Sequence, residues 1–177
     1  GRLVDKINQL GLKNNTIIVY FSDNGPNGWR WNGGMKGRKG STDEGGIRSP
    51  LFISWPGVIK PGTIIEEVSG AIDLLPTLTD LAGIIPHTNK PVEGSSLEPL
   101  LFGNNKDWKN RLLYTYWRGR VSVRSQQYRL DGQGNLFDIN KDRGQYIDVS
   151  GKYPGVAERL KDSLDHWKQR MTAELDK

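Results

Sequence analysis

Six apolar or β-branched residues, T-I-I-V-Y-F at 16–21, run directly into S-D-N-G at 22–25. A strand with no polar alternation is suited to burial on both faces, as in a parallel sheet covered by helices. Leu3, Val4, Ile7 and Leu10 precede it at helical spacing. Gly11 stands where that helix would end, and Asn14-Asn15 make a turn. Helix, short turn and buried strand form an α/β unit. In open α/β sheets, functional groups gather beyond the carboxyl ends of the strands. Here that position belongs to Ser22-Asp23-Asn24-Gly25.

The residues that follow have the chemistry of an anion site. Asp23 and Asn24 offer a carboxylate and an amide oxygen from adjacent positions, the donor type that calcium and magnesium take. Calcium requires about six to eight such oxygens, so the others must come from water, substrate or elsewhere in the protein. Lys39 lies fifteen positions after Asn24, beside Gly40. An ammonium there can hold a negatively charged oxygen and stabilise charge that develops on it. Lys36 and Arg38 compete for the same role. Trp29 and Trp31 flank Arg30 and suit either a substrate-facing rim, stacking on sugar or aryl faces, or packing of the loop itself. Glu44 and Arg48 are four apart and suited to pair, and Gly45-Gly46 permits close backbone approach.

Downstream, L-F-I-S-W at 51–55 reads as a second strand, and residues 63–68 as a short edge strand. Asp73 is placed to cap a helix whose apolar face is Leu74, Leu75, Leu78, Leu81 and Ala82. Residues 97–102 read as one helical turn. After about residue 105 short runs at 111–117, 120–125, 127–130 and 135–139 alternate with turn signals, an antiparallel meander. Val156, Leu160, Leu164, Trp167 and Met171 then form a core-facing stripe on a closing helix over 156–175. The division expected is an α/β part with the metal and anion loop over 1–104 and a subdomain of antiparallel strands and final helix over 105–177.

The chain contains no cysteine, which excludes a thiol nucleophile and any cysteine-based zinc site within it. Two histidines, His87 and His166, are too few for a histidine-rich metal centre, and neither has a neighbouring nucleophile that suggests a triad. The net charge of +5 favours anionic partners. No basic run long enough for a nucleic-acid tail occurs, and no stretch of eighteen apolar residues would span a membrane. The first residues read as a helix already under way rather than a leader.

F-S-D-N-G at 21–25, G-R-K-G-S-T-D-E-G-G-I-R-S-P at 37–50 and W-P-G at 55–57 resemble the sulfatases of the arylsulfatase type. S-G-A-I-D-L-L-P-T-L-T-D-L-A-G at 69–83 and N-L-F-D-I-N-K-D at 135–142 extend the resemblance over nearly the whole chain, in order. It implies an α/β fold, part of an alkaline-phosphatase-like core of sheet and helices followed by a small antiparallel subdomain with a packed terminal helix. It also implies hydrolysis of carbohydrate or aryl sulfate esters with a formylglycine nucleophile and a calcium ion. By motif position, Asp23 and Asn24 correspond to two calcium ligands and Lys39 to a lysine on the substrate's sulfate. Export to the periplasm, a lysosome or the exterior is likewise implied by the family alone.

The family makes its nucleophile from a Cys or Ser in a C/S-x-P-S/T-x-R motif, and no such motif occurs in these 177 residues. The chain is therefore expected to be the C-terminal portion of such an enzyme, partnered by the missing N-terminal part and inactive alone. Two other readings stay open: a phosphodiesterase or phosphonate monoester hydrolase of the same superfamily, and a non-catalytic module binding sulfated glycans. Cutting a sheet exposes apolar faces and edges, so residues 16–21 are expected to lie poorly covered.

Overall fold

The computed structural model describes every residue except Arg30, Asp107, Asp176 and Lys177. In chain order the elements are helix α1 (Arg2–Gln9), strand β1 (Ile18–Phe21), helix α2 (Glu44–Ile47), strand β2 (Leu51–Ser54) and helices α3 (Leu74–Leu81) and α4 (Glu98–Leu101). Strands β3 (Leu113–Trp117), β4 (Arg120–Arg124), β5 (Tyr128–Asp131) and β6 (Leu136–Asp138) follow, then helix α5 (Pro154–Leu175). They form two units: Gly1–Phe21 with Pro50–Lys109, and Ser22–Ser49 with Asn110–Lys177.

In the first unit, α1 ends as its sequence dictates. Gly11 adopts a φ of +70°, and the amides of Gly11 and Leu12 bond back to Asn8 and Ile7 at 3.0 and 3.1 Å. Both orphan carbonyls of the last turn are thereby satisfied. The expectation for β1 is corrected in two respects. It pairs antiparallel with β2, Ile18 opposite Ser54 and Phe21 opposite Leu51, and it is not sandwiched. Tyr20 is 65% and Phe52 62% exposed, with their rings 6.1 Å apart on the open face. Among the described residues of this unit the only strand returning to β1 is the short one after Pro50, and a two-stranded ribbon has no second layer to cover it. The poor coverage expected of residues 16–21 is what the structure shows.

No strand forms over residues 63–68; Thr63 instead turns back, its hydroxyl donating to the Lys60 carbonyl at 2.9 Å. Asp73 stands at the N-cap of α3, but its side chain does not cap that helix as expected; it bonds to backbone outside it. Its carboxylate accepts from the amides of Gly70 and Ser95, both at 2.8 Å. Thr77, one turn later, donates to the Asp73 carbonyl and accepts from the Leu97 amide at 2.9 Å. Both side chains are fully buried. The segment around α4 is thus fastened to α3 by satisfied polar groups, which buried polar atoms require.

In the second unit β3–β4–β5–β6 form the expected meander. Val121, Val123, Leu130 and Leu136 meet Leu160 and Leu164 of α5 in one buried cluster. Tyr114 stacks on Trp167, with ring centroids 5.1 Å apart and planes within 5°. The β3–β4 turn consists of Arg118 and Gly119, both at positive φ, +47° and +80°. Two-residue hairpins need this conformation to match strand twist.

Period-2 alternation leaves the opposite face of the sheet to Ser122, Arg124 and Arg129, and these are buried as well. Something polar must cover that face, and it is the loop 22–49.

Candidate functional site

The loop is built around a close crossing of its two ends. The Gly25 amide donates to the Gly46 carbonyl at 2.9 Å. A Cβ on Gly25 would lie 1.9 Å from the Gly45 carbonyl oxygen, so any other residue must push these backbones apart. The middle of the loop is tied in similarly. The Lys39 amide donates to the Pro26 carbonyl at 3.0 Å, and the Gly45 amide to the Lys36 carbonyl at 2.7 Å. Lys39 is thereby fixed two residues' reach from Asn24. Gly25→Ala is expected to open this crossing. Hydrogen exchange would show the amides of residue 25 and Gly45 losing protection, while the α5 amides keep theirs.

One carboxylate clamps the loop to the sheet. Glu44, 2% exposed, accepts from Arg129 Nη2 at 2.7 Å, Arg129 Nε at 3.1 Å and Arg124 Nε at 2.9 Å. Arg48 approaches its other oxygen at 3.5 Å, the pair anticipated from their spacing. Arg129 Nη1 donates to the Thr42 carbonyl and to Ser122 Oγ, and Ser122 in turn donates to Thr42. The Glu44 amide is capped by Gln145 Oε1 at 2.9 Å. Arg124 also reaches the Ser125 carbonyl. Burial pushes the Glu44 carboxyl up, but Arg129 and Arg124 outweigh it and hold it below the ordinary carboxylate value.

Arg124 and Arg129 stand directly opposite each other in the β4–β5 register. Like charges so placed repel, unless a shared anion lies between them, which is the position of Glu44. Sequence reasoning missed this clamp. In V-S-V-R and Y-R-L alternation assigns the arginines to the face opposite the valines, which in sequence reads as a solvent face.

The structure sorts the loop's cations. Lys36 pairs with Asp43 at 3.7 Å and lies over the Phe137 ring. Arg38 donates to the Asn27 carbonyl at 3.3 Å and covers the Trp29 ring at 4.8 Å. The side chain of Lys39 is exposed and has no ion pair with a described residue. Lys39 is therefore the loop lysine that no described side chain pairs with. Trp29 and Trp31 are 83% and 90% exposed, at a rim rather than in a core; Arg30, the third residue read there, lies outside the described residues.

Asp23 is exposed and Asn24 half-buried, with Ser22 donating to the Asn24 carbonyl at 3.0 Å. Both side chains are oxygen donors, which suits a hard cation. Among the described residues no cluster of three His, Cys, Asp or Glu forms, here or elsewhere. Asn27, Lys39, Gly40, Trp117, Arg118 and Arg120 line one open cleft of about 380 Å³. A larger concavity of about 560 Å³ is bordered by α1 alone and gathers no paired functional groups.

Residues 1–84 match the Sulfatase family model. Arylsulfatase A of Homo sapiens is 32% identical, over 99% of this chain and 41% of that protein. Of solved structures, Ps i-CgsB superimposes with a TM-score of 0.79 at 27% identity, covering 94% of this chain and 39% of that one. BT4656, in complex with its substrate D-glucosamine-2-N,6-O-disulfate, superimposes with a TM-score of 0.69 at 25% identity, over 98% and 38%. The fold is thus that of the alkaline-phosphatase-like α/β proteins. The chain belongs to the sulfatase family, and it spans about two fifths of the length of these relatives.

Proposed function

We propose that the chain is the C-terminal portion of a calcium-dependent sulfatase acting on carbohydrate or aryl sulfate esters. The observation that carries this reading is the exposed ammonium of Lys39, held in a loop that Glu44 clamps and that Asp23-Asn24 opens. Kinship with arylsulfatase A, and with BT4656 whose substrate is a sulfated sugar, supplies the ester class. Asp23 and Asn24 would hold calcium together with ligands from outside this chain; magnesium suits the same donors. When bound, the cation supplies neutralisation of negative charge on the ester. Lys39 binds a sulfate oxygen and stabilises the charge that builds there as the S–O bond breaks. Trp29 and Trp31 form the rim against the sugar or aryl group.

The attacking oxygen belongs to a formylglycine encoded outside these residues. Export is part of the proposal and rests on the family. No described helix is long and apolar enough to cross a membrane.

Without a nucleophile, electrostatic groups bind but do not turn over ester. The purified 177-residue chain is expected to show no hydrolysis of 4-nitrophenyl sulfate. The whole protein, carrying an upstream C/S-x-P-S/T-x-R segment, is expected to hydrolyse it. Turnover by the chain alone would overturn this assignment.

A further inference from the structure

The cleft beside Lys39 has a wall that the sulfate contact does not use. It is formed by the β3–β4 turn: Trp117, Arg118 and Arg120 stand across from Asn27, Lys39 and Gly40. Three of the six lining residues are cations, and no carboxylate lines the cleft. Arg120 anchors the turn to the loop by donating to the Gly40 carbonyl at 3.3 Å through one nitrogen, and the residue is exposed. Arg118 lies over the Trp117 ring at 5.5 Å, and Trp117 keeps about half its surface exposed.

Arg118 is also held at a φ of +47°, a left-handed conformation that a residue with a Cβ disfavours. Asn-Gly is the pair that such a turn prefers. Arg-Gly places a planar cation at a position where local structure would choose otherwise. Strain of this kind gathers at ligand-binding positions.

We infer that this turn is a second anion subsite, which makes the substrate a saccharide carrying a second anionic group besides the ester to be cleaved. The inference rests on the proposed role of Lys39 at the sulfate to be cleaved. Lys39 takes the first anion. Arg118 and Arg120 take the second, where a guanidinium fork matches a sulfate or carboxylate. The Trp117 ring takes the sugar face between them.

Binding of N-acetylgalactosamine 4-sulfate and of its 4,6-disulfate to the 177-residue chain tests this, by calorimetry and by the Trp117 indole N–H shift. The disulfate is expected to bind at least about tenfold tighter, one tenfold step being about 1.4 kcal/mol, and to move that resonance. Arg118→Asn, which installs the preferred turn pair and so keeps the hairpin, is expected to abolish the gain while leaving monosulfate affinity in place. Lys39→Ala is expected to weaken both ligands. Equal affinities, an unchanged ratio in Arg118→Asn, or no binding of either sugar overturns the subsite. If Lys39→Ala changes neither affinity while Arg118→Asn still removes the ratio, the subsite stands and the role given to Lys39 falls.

Discussion

Glu44→Gln in this chain is expected to lower the stability of the second unit by about 3–5 kcal/mol, the usual cost of stranding a buried charge. The carboxylate is shared by Arg124 and Arg129, both nearly inaccessible to water. Removing its charge leaves two guanidinium groups opposite each other with no anion between them. Arg48 is about half exposed, and its contact contributes little. Urea unfolding followed at the resolved indole N–H resonance of Trp167, a residue of the second unit, measures the loss. The acid limb supplies an independent reading. Because the folded Glu44 carboxyl sits below its ordinary value, its contribution is complete above that value, about 4.3. The contribution fades as pH falls through the depressed one. The Gln variant should lose that part of the low-pH slope. Replacing Glu44, Arg124 and Arg129 together by Met should restore much of the stability, since a whole buried ionic group exchanges for apolar residues at little cost. It should also release the loop from the sheet.

Lys39→Ala in the whole protein is expected to lower kcat by about 10²–10³, the range found when one donor to a developing oxyanion is removed. The side chain is exposed and unpaired with described residues, so its loss costs the fold nothing comparable. An effect confined to KM would mean that Lys39 holds ground state and transition state equally. Lys36→Ala and Arg38→Ala should behave differently. Their side chains are engaged with Asp43 and Phe137, and with Asn27 and Trp29, so they should change loop order more than kcat.

The parts of this fold legible in the sequence are those set by local chemistry. The α5 stripe, the hairpin turns, the α1 stop at Gly11 and the Glu44–Arg48 pair all follow from spacing and backbone preference. β1 was misread because an unbroken apolar run reports how a strand is buried in its full sheet. In this unit it finds one antiparallel partner and an open face. The Glu44 clamp was illegible for a different reason. Its partners lie eighty and eighty-five positions away, and only the β4–β5 register shows that two arginines face each other. Asp23, Asn24 and Lys39 were found from donor type and motif. Motif position singled out Lys39 over Lys36 and Arg38, and the coordinates add that the loop engages the other two.

The central claim is that this loop serves sulfate-ester hydrolysis. The most direct measurement is the kcat/KM of the whole protein on 4-nitrophenyl sulfate against 4-nitrophenyl phosphate and its phosphodiester, each with and without Lys39→Ala. The sulfate ester is expected to be preferred, with the preference collapsing in the variant. A preference for either phosphate ester, or sulfate turnover that Lys39→Ala leaves unchanged, would contradict it.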